Sequence, residues 1–231
     1  METGRQRAFR WAGLVAAIVA AAGCGSGPIA SDARTVAPDE SAAASGAATA
    51  TLTKGLVARP EAITDPRNDL VDEDGRKAKT NAHIDLTRLE AEADGSDLQV
   101  TMTLAGDIPA RISSTRQELN YVVEVEADGA QPFDYWLLVT NLESGAWYAA
   151  LTDWAGNSAE EDNEFPGTLV VAKNLVIVRV PLSVLGSPTR LRMLAVTQRA
   201  DHKSGKVVAE DQVPKGDQSV PTKRWLTLTA S

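Results

Sequence analysis

The stretch Ile63 to Gly75, ITDPRNDLVDEDG, sets Asp65, Asp69, Asp72, Glu73 and Asp74 beside a proline and a closing glycine. Carboxylates this dense suit a hard cation, since calcium takes roughly six to eight oxygens from Asp and Asn side chains, backbone carbonyls and water. Asp65, Asn68, Asp69, Asp72 and Asp74 offer such oxygens at short spacing. The spacing departs from the helical-hand loop D-x-[DN]-x-[DN]-G-x5-E, so a site here is of another kind. The alternative is a solvated turn, with Asx turns at Asp65-Pro66 and Asn68-Asp69 and a loop corner at Asp74-Gly75. Spacing alone leaves both open and favours the turn.

Aromatic side chains offer a second chemistry. In AWYAALTDW, alternation puts Trp147, Ala149 and Leu151 on one face and Tyr148, Ala150, Thr152 and Trp154 on the other. Trp147 reads as core. Tyr148 and Trp154 read either as cross-strand packing or as a platform for the apolar C–H faces of sugar rings. The following loop, DWAGNSAEEDNEFPG, adds Asp153 and Asn157 beside Trp154 as ligand-binding candidates.

Other chemistries are poorly supplied. The two histidines, His83 and His202, are far apart in sequence, which argues against a multi-histidine metal site. A single cysteine, Cys24, has no partner for a disulfide or a thiolate cluster. The chain lacks G-x-S-x-G, S-x-x-K, P-loop and H-E-x-x-H motifs, so no enzymatic activity is expected.

The N-terminal residues carry an address. Arg5, Arg7 and Arg10 precede an apolar run from Trp11 to Ala22, the layout of a secretory signal and too short for a membrane span. Ala21-Ala22-Gly23-Cys24 resembles a bacterial lipobox, which implies a signal peptide over residues 1–23, lipidation of Cys24, for example with palmitate, and an extracytoplasmic protein anchored to the cell membrane. Acyl chains contribute about 0.8 kcal/mol per buried methylene. Residues 24–55 are rich in Ala, Ser, Gly and Thr, with too few large aliphatics to offset ordering, and read as a disordered tether. Without the three arginines and one glutamate of the signal, the 23 basic and 31 acidic residues of the chain become 20 and 30, a net charge of −10. Such a charge argues against nucleic acid as a partner.

Residues 56–231 are long enough for one domain with its own core. Their hydrophobic period is two. DLQVTMTLAG alternates Leu98, Val100, Met102 and Leu104 against polar neighbours, and HIDLTRLEAEA before it ends at Asp94-Gly95, a hairpin signal. Seven further strands are expected in LNYVVEVEA, FDYWLLVTNL, AWYAALTDW, GTLVVA, LVIVRVPL, RLRMLAVTQR and KRWLTLTA. ISSTRQEL is the one short helix candidate. The expected fold is all-β, an antiparallel, jelly-roll-like β-sandwich.

The ordered pieces ITDPRNDLVDEDG, HIDLTRLEAEADGSDLQVTMTLAG, LNYVVEVEADG, LVIVRVPLSVLGSPTRLRMLAVTQRAD and AEDQVP together resemble the DOMON-like superfamily, which includes family 9 carbohydrate-binding modules. The resemblance implies a jelly-roll sandwich with a structural calcium near its first loop. Asp65 and Asp69 are implicated, with Asp85 or Asp211 as further ligands. The family loop commonly has Gly-Asp where this chain has Asn68-Asp69. Some relatives bind haem through Met and His; His83 and Met102 fall on adjacent expected strands, but Met102 belongs to an apolar series and reads as core. The combined expectation is a non-catalytic module that binds a carbohydrate or envelope polymer, the alternative being a scaffold for an envelope protein.

Overall fold

The computed structural model describes residues 55–110, 117–128, 134–141, 146–153, 165–215 and 224–230. The expected signal peptide, Cys24 and nearly all of the expected tether lie outside these residues, as do Trp154 and Asn157.

Two antiparallel sheets pack face to face as a sandwich. The smaller has the order β1-β2-β3-β8-β7, formed by Val57–Thr64, Leu86–Asp94, Asp97–Leu104, Leu175–Pro181 and Thr168–Ala172. The larger has the order β10-β9-β4-β5-β6, formed by Lys206–Val213, Arg190–Asp201, Gln117–Ala127, Tyr135–Asn141 and Trp147–Asp153. β11 (Leu226–Thr229) pairs with Arg190–Met193 of β9, while β10 pairs with its remaining length, so the two share one edge of that long strand.

Alternation in sequence becomes alternation in burial. Along β3 every second residue, Leu98, Val100, Met102 and Leu104, is buried, and those between are half-buried. The β2–β3 hairpin turns where expected, with Gly95 at a φ of 95° that a side chain rarely adopts. Asp94 closes the turn by accepting the Ser96 and Asp97 amides. Trp147 packs on the core with its ring 5.4 Å from that of Tyr121. Met102 is buried in the same core. His83 is not on a strand as expected; it occupies a turn before β2, which starts only at Leu86.

Three elements differ from expectation. β1 was not anticipated because it carries Pro60 and is mostly exposed. Proline lacks the amide a central strand needs, and here it lies at a register shift on the sheet edge. β10 was hidden by the charged residues Lys206, Glu210 and Asp211. The helix expected in ISSTRQEL is contradicted at its C-terminal end, where Gln117, Glu118 and Leu119 are strand because β4 pairs with β9 as far as Gln117 and Asp201. A single short 3-10 helix is described instead, Leu182–Leu185, ended by Gly186 in the left-handed conformation.

The burial pattern of β3 predicts unequal costs for neighbouring substitutions. Met102→Ala should lower unfolding free energy by about 2–5 kcal/mol, and Thr101→Ala by no more than about 0.5 kcal/mol. Urea denaturation of both variants checks this; equal losses would mean the strand does not present these faces.

Candidate functional site

The acidic stretch divides into two halves with different chemistry. In the second half, Asp72 accepts the amides of Asp74 and Arg76 through one oxygen, Asp74 pairs with Arg76 at 2.6 Å, and Glu73 pairs with Lys206 at 2.8 Å. These carboxylates are spent on their own turn and on neighbouring cations, and Asp72 stands apart from the cluster formed by the first half.

The first half is carried against the opposite sheet. The amide and carbonyl of Val71 exchange hydrogen bonds with Glu210 of β10, at 2.9 and 2.7 Å. That bridge lays the loop along β10 and brings Asp65 and Asp69 to Asp211. One oxygen from each of these three carboxylates lies within 4.8 Å of the others. Asn68 is exposed and left-handed, at a φ of 63°, and its amide donates to Asp85 Oδ2 at 2.8 Å. Asn68 therefore shapes the loop through its backbone. Buried Asp85 lies close enough to Asp65 to act on its charge.

The electrostatics suit a cation. Burial, together with the charge of Asp69, raises the Asp65 carboxyl to about 6. Burial raises Asp211, 2 % exposed, to about 7, against the opposing effect of the Leu86 amide and with further upward pressure from Asp69 and Asp65. Asp65 Oδ2, Asp69 Oδ1 and Asp85 Oδ1 are buried with no hydrogen-bond partner among the described residues. Buried oxygens are normally satisfied, and carboxylate oxygens without a donor suit a cationic partner. An all-oxygen, carboxylate-rich set fits a hard divalent ion such as calcium.

Lys215, which the sequence reading did not single out, supplies an internal cation. Its Nζ pairs with Asp69 Oδ2, donates to the Asp69 carbonyl at 3.1 Å and lies 3.8 Å from Asp211 Oδ1. Its burial works against the charged form, but the bond to Asp69 and the charges of Asp211, Asp69 and Asp65 raise its pKa overall. One ammonium against three carboxylates leaves negative charge in excess. The Lys four residues after Asp211 was visible in DQVPK but had no partner until the fold supplied one.

Of the expected ligand-binding residues, Tyr148 is half-buried on β6 directly opposite Thr140, and Asp153 is exposed at the end of that strand. Tyr148 thus points to the outer face of the larger sheet, opposite to Trp147.

No family model, curated protein or solved structure matches this chain.

Two outcomes are expected. Calcium at about 100 times its Kd should stabilise the protein by about 2.7 kcal/mol, a rise of roughly 5–10 °C in Tm, and Asp69→Ala should lose the effect. Thermal unfolding in EDTA and then in calcium measures this, and superimposable wild-type curves would sink it. In EDTA, Asp65 and Asp211 hold protons in the folded protein between the ordinary Asp value of 3.8 and about 6 to 7, where the unfolded chain has released them. Stability should therefore fall as pH rises through that window and level off above about 7. Calcium should flatten the decline; a Tm that rises across the window in EDTA would contradict the assignment.

Proposed function

We propose that this protein is a lipid-anchored, extracytoplasmic binding module, a non-catalytic β-sandwich that takes a carbohydrate or cell-envelope polymer and whose first loop is tied down by a structural calcium ion. The observation that carries the reading is the meeting of Asp65 and Asp69 with Asp211 within 4.8 Å. These residues belong to the Asp-Pro-x-x-Asp loop and the Asp-x-x-Pro segment, the first and last pieces of the DOMON-like resemblance. Their convergence supports that resemblance because sequence order alone does not bring the two ends of a pattern together.

The anchor follows from the lipobox-like Ala21-Ala22-Gly23-Cys24, with residues 24–55 spacing the domain from the bilayer. Calcium would be held by the carboxylates of Asp65, Asp69 and Asp211 and would neutralise the charge that Lys215 meets only in part. Its role is to join the loop to β10, not to activate a substrate.

A second reading, a scaffold for an envelope protein, is favoured by Val170. This residue is 50 % exposed on β7, which is the last strand of the smaller sheet among the described residues, and an edge of this kind suits the addition of an extended partner segment.

Two measurements test the proposal. Cys24→Ser should move the protein from the membrane fraction to the soluble fraction on cell fractionation. Titration of the purified protein with envelope polysaccharides at millimolar concentration should change its tryptophan fluorescence. A membrane-bound Cys24→Ser variant would remove the anchor, and flat titrations together with a crosslinked protein partner would favour the scaffold.

A further inference from the structure

The outer face of the larger sheet is polar along its central strand and buried there, while its flanking strands stay partly exposed. On the central strand β4, Glu118, Asn120, Glu124 and Glu126 point outward in alternation, and all are buried, Asn120 at 3 % exposure and Glu126 at 0 %. A solvated sheet face would leave such side chains exposed, and a core face would not contain them.

Register arranges this face in rows. Glu210 of β10 stands opposite Gln198 of β9, Gln198 opposite Asn120 of β4, Asn120 opposite Thr140 of β5, and Thr140 opposite Tyr148 of β6. Five polar side chains thus cross five strands in one line, roughly 19 Å at the usual strand spacing. The end at β10 is internally satisfied, since Gln198 Nε2 donates to Glu210 Oε2 at 2.6 Å. The other end is not. Asn120 Oδ1, Thr140 Oγ1 and Tyr148 Oη are buried without a hydrogen-bond partner among the described residues, as is Oε1 of Glu118, two residues before Asn120 on the same face. Thr140 is fully buried. Each such oxygen is destabilising unless something completes it.

What completes them is constrained by the surroundings. The adjacent row is apolar, with Val122 opposite Leu138, and Trp136 of the row beyond, opposite Glu124, clusters with them. Glu118 makes the site negative, and His202 Nδ1 stands 3.5 Å from its other oxygen. A phosphate or uronate would be repelled. Hydroxyls that both donate and accept suit the mixed set of amide, hydroxyl and carboxylate oxygens, and C–H surface suits the apolar row. The line runs out to β6, an edge strand with half-buried Tyr148 and Ala150, so a ligand has a side from which to reach it.

We infer that the outer face of the larger sheet, along Asn120, Thr140 and Tyr148 with Glu118, is the binding site for a neutral saccharide. This rests on the reading of the domain as a carbohydrate-binding module and assigns its site to this face rather than to the loop after Asp153.

The test is titration of the full-length chain with cellohexaose, maltohexaose, laminarihexaose and chitohexaose, followed by tryptophan fluorescence and calorimetry. At least one sugar should bind, and Asn120→Ala and the near-isosteric Thr140→Val should each weaken it about tenfold or more, as expected for loss of a buried hydrogen bond. Should either variant fold poorly, Tyr148→Phe on the half-buried edge strand and amide shift mapping of the wild-type protein replace it, the shifts being expected on β4, β5 and β6. Binding unchanged in the variants, or shifts confined elsewhere, overturns the assignment of the face while leaving the binding reading intact. Failure of the wild type to bind any of the four sugars overturns both, leaving buried water to satisfy these oxygens.

Discussion

A polar row inside the sandwich sets the rest of the structure. Tyr121, Thr197 and Asp211 lie side by side on β4, β9 and β10, on the inner face of the larger sheet. All three are buried, and each is satisfied by the backbone just before and at the start of β2. Tyr121 Oη donates to the His83 carbonyl at 2.8 Å, Thr197 Oγ1 donates to the Ile84 carbonyl, and the Leu86 amide donates to Asp211 Oδ2 at 2.8 Å. Leaving any of these groups unpaired in an apolar interior would cost about 1–3 kcal/mol, so the start of β2 has one favourable position against the opposite sheet. Apolar packing brings the sheets together without specifying their offset; directional bonds at this end select it.

That offset also determines the electrostatics of the adjoining loop. Once Asp211 is committed to the Leu86 amide, a buried carboxylate stands where the loop from Asp65 to Asp69 must pass. The backbone bridge between Val71 and Glu210 holds the loop there despite like charge, and Lys215 offsets only part of the repulsion. The same few residues thus serve as an inter-sheet latch on one side and as a cation-seeking cluster on the other. Removing a carboxylate at this point relieves repulsion but, in the case of Asp211, also orphans an amide that nothing nearby replaces.

The two outer faces of the sandwich have been treated differently. On the smaller sheet the outward side chains form solvated pairs, Arg88 with Glu90, Gln99 with Glu92, and Arg179 with Asp94 and Asp97. Such pairs contribute little to stability and keep the face in water. On the larger sheet the central strand is buried on both sides, and Trp225 packs on Leu194 and Val196 to close part of the outer surface. Ion pairs there are enclosed, as where Glu126 meets Arg192. An enclosed polar face needs partners with matched geometry, whereas exposed acids such as those of the smaller sheet can be met by water.

Period-two alternation by itself determined that this chain is an antiparallel sandwich, and it located β2 to β9 and β11, because burial of one strand face is a local consequence of which residues alternate. The turn at Asp94-Gly95 was legible as well, because it depends on a residue able to take a positive φ. Alternation failed at β1 and β10. Proline at a sheet edge and charge on a strand directed into a loop are tolerated only because of neighbours distant in sequence. The acidic stretch was likewise readable as carboxylate-rich, but its division was not. Asp65 and Asp69 differ from Asp72 and Asp74 only in what the fold sets beside them: Asp211 and Lys215 in one case, the amides and the Arg76 side chain of their own turn in the other. The enclosed row of Asn120, Thr140 and Tyr148 had no local signal beyond a few polar residues on apolar strands. Only cross-strand register, a relation among residues far apart in the chain, placed them in line.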